Sequence, residues 1–177
     1  MSQALTPPLI VAALVLCAAG ALKLRSPHGA TGALRALGLP VRPWMVAALA
    51  AGELVLGVTC AVDPTRATIA ILAGTYATFA GVATALAGGG AACGCFGEDS
   101  DNGEDETPAS ALHWMASAAL GAVALVAALV GSHGLSWVLG RPAAQAIALV
   151  IGIGGALYAV VLAYTVVPRA WTSWSAE

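Results

Sequence analysis

Two cysteines one residue apart, Cys93 and Cys95, are the side chains of this sequence best suited to chemistry. A disulfide between them would close a very small ring, against the Cα separation and torsion that disulfides prefer. A strained disulfide is more oxidising than a structural one and exchanges more readily with other thiols. Gly94 removes a side chain from the link and helps the ring to close. The spacing therefore favours a redox-active pair.

Two other interpretations of the cysteine pair stay open: a structural metal site and two incidental thiols. A metal bound by two thiolates needs two further ligands, for which His28 and His113 are the plausible residues, so a metal site is not the favoured one. Basic residues would favour the reactive thiolate, and a dense acidic run just downstream would oppose it. The basic residues are Lys23, Arg25 and Arg35, and the acidic ones are Glu98, Asp99, Asp101, Glu104, Asp105 and Glu106.

Two further ionisable residues fall in or beside apolar stretches. Glu53 lies near the middle of one, where an ionisable side chain is expected to be functional. It would pair with Lys23, carry a proton to the thiols, or join helices as a neutral group through Thr75 or Tyr76. His113 begins a later stretch and is either a general base or metal ligand, or an ordinary interfacial histidine.

The composition identifies the environment of these residues. Hydrophobic residues make up 59% of the 177 and charged residues only 9%, against roughly 25% charged residues in a soluble domain. The mean hydropathy is +0.87, which indicates an integral membrane protein. Four cysteines are too few for a disulfide scaffold, and Cys17 and Cys60 lie in apolar stretches as small hydrophobic residues would. The short basic loop is not a nucleic-acid footprint.

The apolar pattern predicts an all-α fold: one polytopic transmembrane bundle over residues 1–177. Each span needs about 20 apolar residues, and only helices satisfy their backbone polar groups within lipid. A short interfacial helix, Gly32 to Leu39, is expected after the first span, and Gly131 to Pro142 should be a polar connection. Small residues such as Gly152, Gly154 and Gly155 would allow close helix packing. The predicted spans are residues 8–22, 44–62, 66–86, 111–130 and 143–167.

The basic loop and the cysteine loop are separated by two predicted spans and so share one side of the membrane. The first apolar stretch is expected to be a retained span rather than a signal peptide, with Lys23 and Arg25 as interfacial anchors at its end. The excess of basic residues would make the cysteine side cytoplasmic, whereas disulfide chemistry favours an oxidising compartment. The orientation therefore stays open. The basic residues on the cysteine side are Lys23, Arg25, Arg35, Arg42 and Arg169, against Arg66 and Arg141 on the other.

The motif Cys93-Gly94-Cys95-Phe96-Gly97 resembles the hallmark of the methylamine-utilisation MauE family, within the broader DoxX-like group of membrane proteins. Other pieces agree with that family in order and spacing over roughly residues 9–130. They are Lys23-Leu24-Arg25, Leu37-Gly38-Leu39-Pro40, Glu53 with Gly57, and Thr107-Pro108 leading to His113.

The resemblance implies a helical membrane protein that assists thiol–disulfide chemistry, often beside a thioredoxin-like partner, in the maturation of exported proteins. Two features depart from the family. Ser26 stands where an acidic residue usually follows Lys-x-Arg, and Ala116 and Ser117 stand where the family often has Arg-Asn. If that Arg-Asn contacts the thiols or their loop, the activity of this chain is altered or lost.

We therefore predict a multi-pass protein of the cell membrane, embedded in the lipid bilayer, that exchanges disulfides or electrons between Cys93-Gly94-Cys95 and a thioredoxin-like or exported partner. This makes it a candidate thiol–disulfide oxidoreductase. Phe96 and Gly97 would shape the approach to the sulfurs, and Lys23, Arg25 and Glu53 would tune the charge beneath them. No second redox pair is evident, so a membrane quinone or a thioredoxin-like protein is the hypothesis for the electron acceptor. The alternatives are a non-catalytic membrane subunit or assembly factor, or a small transporter that uses Glu53.

Overall fold

The computed structural model describes the backbone of residues 2–89 and 111–165. The described residues form seven helices and no strand, which confirms the predicted all-α fold. Five of these helices, α1, α3, α4, α5 and α7, are long and apolar enough to cross a membrane. The helices are α1 (Ser2–Arg25), α2 (His28–Ala36), α3 (Pro43–Val62), α4 (Arg66–Gly89), α5 (Ala111–Val130), α6 (Leu135–Leu139) and α7 (Ala143–Thr165).

The first span begins earlier than predicted. α1 starts at Ser2 and contains Pro7 and Pro8, which the sequence pattern placed at its first turn. Proline favours the first helical position because its missing N–H has no acceptor there, but good helix formers such as Gln3 and Ala4 extend the helix upstream. Two prolines near a helix start remove few hydrogen bonds, so the longer helix is tolerated.

The interfacial helix after the first span exists, but its bounds differ from Gly32–Leu39. The carbonyl of Pro27 accepts both the Thr31 N–H, at 3.0 Å, and the Thr31 hydroxyl, at 2.7 Å, so α2 is already formed before Gly32. Gly38 has φ of +79°, a left-handed conformation that ends a helix and that glycine adopts without strain.

The connection between α5 and α7 contains α6, where only a polar connection was predicted. A five-residue helix is too short to show a periodic pattern, and it forms because it packs against the bundle. Val138 is fully buried, and Gly134 lies so close to the Val62 carbonyl that a Cβ would collide with it. The ring of Trp137 stacks on His133, with 5.8 Å between the ring centroids. The predicted end of the last span, residue 167, lies outside the described residues.

α1 is the central helix of the bundle. It packs against α3, α5 and α7, while α4 packs mainly against α5. The main apolar core joins Leu9 and Leu16 of α1 to Leu72 of α4 and Ala124 of α5. α7 lies at the periphery, with Ile147, Ile151 and Tyr158 among its exposed side chains, as expected for a helix that faces lipid.

The glycines that permit close packing are not the ones expected from the sequence. A Cβ added at Gly20 or Gly57 would lie 2.7 Å from a backbone carbonyl of the facing helix, so α1 and α3 touch at these two positions. By contrast, no described atom lies within 4 Å of a Cβ built on Gly152, Gly154 or Gly155. The glycine-rich part of α7 therefore does not mediate helix packing within the described residues.

A hydroxyl group fastens α4 to α1. The Tyr76 hydroxyl donates a hydrogen bond of 2.6 Å to the Ala12 carbonyl, and the tyrosine is only 2% exposed. Tyr76→Phe should lower the free energy of unfolding by about 1 kcal/mol, because the ring is kept and one buried interhelical bond is lost. Denaturant titration in detergent micelles measures this change. Tyr158→Phe on the exposed face of α7 is the control. An equal loss of unfolding free energy in both variants would contradict a stabilising role of the Tyr76–Ala12 hydrogen bond.

Candidate functional site

The predicted reactive segment, Cys93-Gly94-Cys95-Phe96-Gly97, lies outside the described residues. It belongs to the connection that leaves α4 at Gly89 and enters α5 at Ala111. Because α1, α3 and α4 alternate in direction, the end of α1, the start of α3 and the ends that flank this connection share one side of the bundle. We call this the cysteine side. The described residues on this side define the surroundings from which the segment departs.

A buried ion pair lies inside the cysteine-side half of the bundle. The Lys23 ammonium on α1 donates to both carboxylate oxygens of Glu53 on α3, each at 2.8 Å. Lys23 is 4% exposed and Glu53 3%. The pairing of these two residues, one of the arrangements that the sequence left open, is therefore confirmed. Buried charges require such compensation, since an isolated charge in an apolar interior is very unfavourable.

The position of Lys23 differs from its predicted role as an interfacial anchor. The Lys23 side chain lies inside the bundle because the Glu53 carboxylate, roughly mid-helix in α3, accepts charge-assisted hydrogen bonds from its ammonium. These bonds are stronger than the contacts that the ammonium would make at the membrane interface. Arg25, two residues later, is exposed as expected. The end of α1 thus carries one internal and one external positive charge.

Lys23 also contacts the aromatic ring of Phe79, and we call Lys23, Glu53 and Phe79 together the polar site. The Lys23 ammonium lies 4.5 Å from the ring centroid of Phe79 on α4, within the range of a cation–π interaction. Phe79 in turn meets Tyr76 edge to face, with 6.0 Å between ring centroids. Lys23 therefore contacts α3 and α4 at once. Sequence reasoning missed Phe79, although its spacing of three residues from Tyr76 puts both on one face of α4.

The hydroxyl groups proposed to bridge Glu53 to a neighbouring helix donate elsewhere. Thr75 donates to the Ile71 carbonyl within its own helix, at 3.0 Å, and Tyr76 donates to Ala12. Glu53 is therefore held by an ammonium rather than by either hydroxyl hydrogen. A carboxylate contacted by Lys23 on both oxygens is suited to hold helices together.

His113 is buried near the start of α5 and is 8% exposed. Ser117, one turn later, is also buried, and Gly121, one further turn along, packs against Tyr76. Positions spaced by four residues share a helix face, so this face of α5 looks into the bundle. Ser117 is one of the three residues, with Ser26 and Ala116, that differ from those expected of the family. That departure therefore falls on the inner face, while the role of His113 stays a prediction.

The two other cysteines behave as small apolar residues. Cys60 is fully buried in the main core, and Cys17 is half-buried with its sulfur 3.8 Å from the Leu54 carbonyl. Within residues 2–89 and 111–165, no group of three or more His, Cys, Asp or Glu side chains is arranged to hold a metal ion. His28 is exposed at the start of α2, whereas His113 is buried.

A family model described as methylamine utilisation protein MauE matches residues 2–134. This range spans α1 to α5 and includes Lys23, Glu53, Phe79, the five-residue cysteine motif and His113. Comparisons with curated proteins and with solved structures each found no match. The matched range covers well over half of the 177 residues and contains the whole polar site. The chain therefore belongs to the methylamine utilisation MauE family of multi-pass membrane proteins.

Proposed function

We propose that this MauE-family protein is a membrane thiol–disulfide redox protein whose Cys93-Gly94-Cys95 pair exchanges a disulfide with a thioredoxin-like or exported partner. The observation that carries this function is a pair of thiols one residue apart in the connection between α4 and α5. Both flanking helices are able to cross a membrane, so the pair belongs to the connection between two candidate spans.

The exchange conserves disulfides and needs only two protein partners. A thiolate of a reduced partner attacks one sulfur of the Cys93–Cys95 disulfide, the other sulfur leaves as a thiolate, and a mixed disulfide forms. The other thiolate of the same partner then attacks the mixed disulfide. The partner departs oxidised, and two thiols remain on this chain. The reverse exchange with an oxidised thioredoxin-like protein restores the Cys93–Cys95 disulfide. Two electrons thus pass from one partner to the other.

The described residues support a positioning role around this chemistry. Lys23 joins α1 to Glu53 on α3 and to Phe79 on α4, and α4 leads directly into the cysteine connection. Ala33 of α2 packs against Ala83 and Leu86 in the last turns of α4. Lys23 therefore contacts α4 near its middle, and α2 packs against its last turns. Because both Glu53 oxygens are engaged by Lys23, this arrangement favours a structural use of Glu53 over a transport pathway.

Thiol alkylation with mass detection tests the proposed function on a Cys17→Ala/Cys60→Ala variant, in which only the reactive pair remains. We expect alkylation of two thiols after reduction and of none after oxidation. The midpoint should fall roughly between −270 and −120 mV, the range of thioredoxin-like proteins. A further Cys95→Ser change should then accumulate mixed disulfides with a partner, whereas Cys93→Ser/Cys95→Ser should form none. Two thiols that stay free under oxidant would contradict the redox function and favour an assembly factor.

A further inference from the structure

Three arginines on the cysteine side form an exposed cationic surface, which we call the arginine surface. Arg25 ends α1, Arg35 lies in the last turn of α2, and Arg42 precedes α3, and all three are exposed. Within the described ranges the acidic residues are Glu53, which is paired with Lys23, and Asp63, which follows the opposite end of α3. The arginine surface is therefore not neutralised by any described carboxylate.

Arg35 contacts the backbone directly before Arg42. The Arg35 Nε atom donates a hydrogen bond of 3.2 Å to the Val41 carbonyl, the residue directly before Arg42. This bond uses one of the five donors of the guanidinium and orders its stem. Its terminal amino groups have no protein acceptor in the part of the chain that the structure describes. Arg35 thus presents a partly pre-ordered guanidinium group at the turn between α2 and α3, where Arg42 is also exposed.

Exposed apolar side chains lie on the same helix ends and turns as the three arginines. Leu22 and Leu24 lie at the end of α1, Leu39 lies between α2 and α3, and Trp44 and Met45 begin α3. Trp44 is 65% exposed. Arginine beside tryptophan and leucine at the end of a span is typical of the boundary between headgroups and acyl chains. A ligand that joins an anionic group to an apolar part would therefore suit this combination of side chains.

We propose that Arg35 and Arg42, assisted by Arg25, bind the phosphate of an anionic phospholipid whose acyl chains cover the neighbouring leucines and Trp44. The planar guanidinium fork matches phosphate oxygens in a bidentate manner. α2 packs on the bundle through its buried Ala30, Thr31 and Ala33, and Arg35 lies on its exposed side. A charged headgroup and an apolar tail together satisfy both halves of this surface.

The lipid site can be tested by measuring which lipids stay bound to the full chain. The protein is reconstituted in nanodiscs that contain equal amounts of phosphatidylglycerol and phosphatidylcholine. After mild detergent extraction, native mass spectrometry counts the lipids that remain bound. We expect phosphatidylglycerol to be enriched, and Arg35→Gln/Arg42→Gln to lower that enrichment about tenfold or more, since each basic residue near the surface contributes substantially to anionic-lipid binding. The control is Arg66→Gln, an exposed arginine at the opposite side of the bundle, which should leave the enrichment unchanged.

Three results would overturn the lipid site: equal retention of the two lipids, equal loss in the control variant, or displacement of phosphatidylglycerol by inorganic phosphate at an ionic strength where chloride does not displace it. The last result would show a simple phosphate site without acyl-chain contacts. Because all the substituted arginines are exposed or half-exposed, the variants should elute as the unmodified protein does in size-exclusion chromatography.

Discussion

Lys23→Met alone should lower the free energy of unfolding by about 3–5 kcal/mol, because it leaves the Glu53 carboxylate buried without its cation. Glu53 is 3% exposed and lies roughly mid-helix in α3, so its short side chain cannot reach water. Glu53→Leu should be milder. Lys23 lies two residues before the end of α1, and its long stem can redirect the ammonium toward the interface. A larger loss of unfolding free energy in Lys23→Met than in Glu53→Leu would therefore show that the Glu53 carboxylate lies deeper in the bundle than the Lys23 ammonium.

The double variant Lys23→Met/Glu53→Leu should recover most of the loss, because an apolar pair of similar volume replaces two charges that compensate each other. Denaturant titrations of the wild type, both single variants and the double variant give the coupling free energy. Arg25→Met is the control on α1, since Arg25 is exposed and should change stability little. Additive losses in the double variant would show that the two side chains act independently, in conflict with the 2.8 Å contacts.

The same double variant separates positioning from chemistry. If the ion pair only holds α1, α3 and α4 together, a folded Lys23→Met/Glu53→Leu protein should still form and release the Cys93–Cys95 disulfide. We expect this result, because the pair carries no net charge and would exert little field on a thiol. Loss of exchange in a stable double variant would instead assign a proton or a charge from this pair to the reaction.

The bundle could be predicted because a span needs only length and apolarity, both of which are visible in the sequence. The ends of helices were less predictable, since they depend on single hydrogen bonds. α2 begins before Gly32 because the Pro27 carbonyl accepts two donors from Thr31, and no pattern of apolar residues reveals that geometry. α6 was missed for a related reason, because it is held by packing at Gly134 and Val138 rather than by a periodic face.

The sequence also indicated part of the polar site. An acid in the middle of an apolar stretch requires a partner, and this singled out Glu53. The sequence could not decide between the interface and the interior for Lys23, because a four-carbon stem reaches either. Phe79 gave no signal, since an aromatic residue in an apolar helix looks like any core residue. Burial of Lys23 also removes one positive charge from the cysteine side, which weakens the cytoplasmic orientation suggested by counting basic residues.

The close contact of α1 and α3 should make Gly57→Ala strongly destabilising. The new Cβ would lie 2.5 Å from the Cys17 sulfur and 2.7 Å from the Ala13 carbonyl oxygen, both on α1. A carbonyl within a helix cannot turn aside, so the two helices must separate. Overpacking of this kind lowers stability by about 1–3 kcal/mol, which denaturant titration would measure. Gly52→Ala on the same helix is the matched control, because no described atom lies within 4 Å of its Cβ and alanine is the better helix former.

A second substitution identifies which atom of α1 sets the distance between the helices. Cys17→Ala/Gly57→Ala removes the sulfur but keeps the Ala13 carbonyl in place, so we expect only partial recovery of stability. Full recovery would show that the sulfur alone limits the approach of α3. Since Gly20 makes a similar contact with the Ala50 carbonyl, one turn from Lys23, separation of α1 and α3 should also lengthen the Lys23–Glu53 contact. Gly57→Ala should therefore reduce the coupling free energy between Lys23 and Glu53, whereas Gly52→Ala should leave it unchanged.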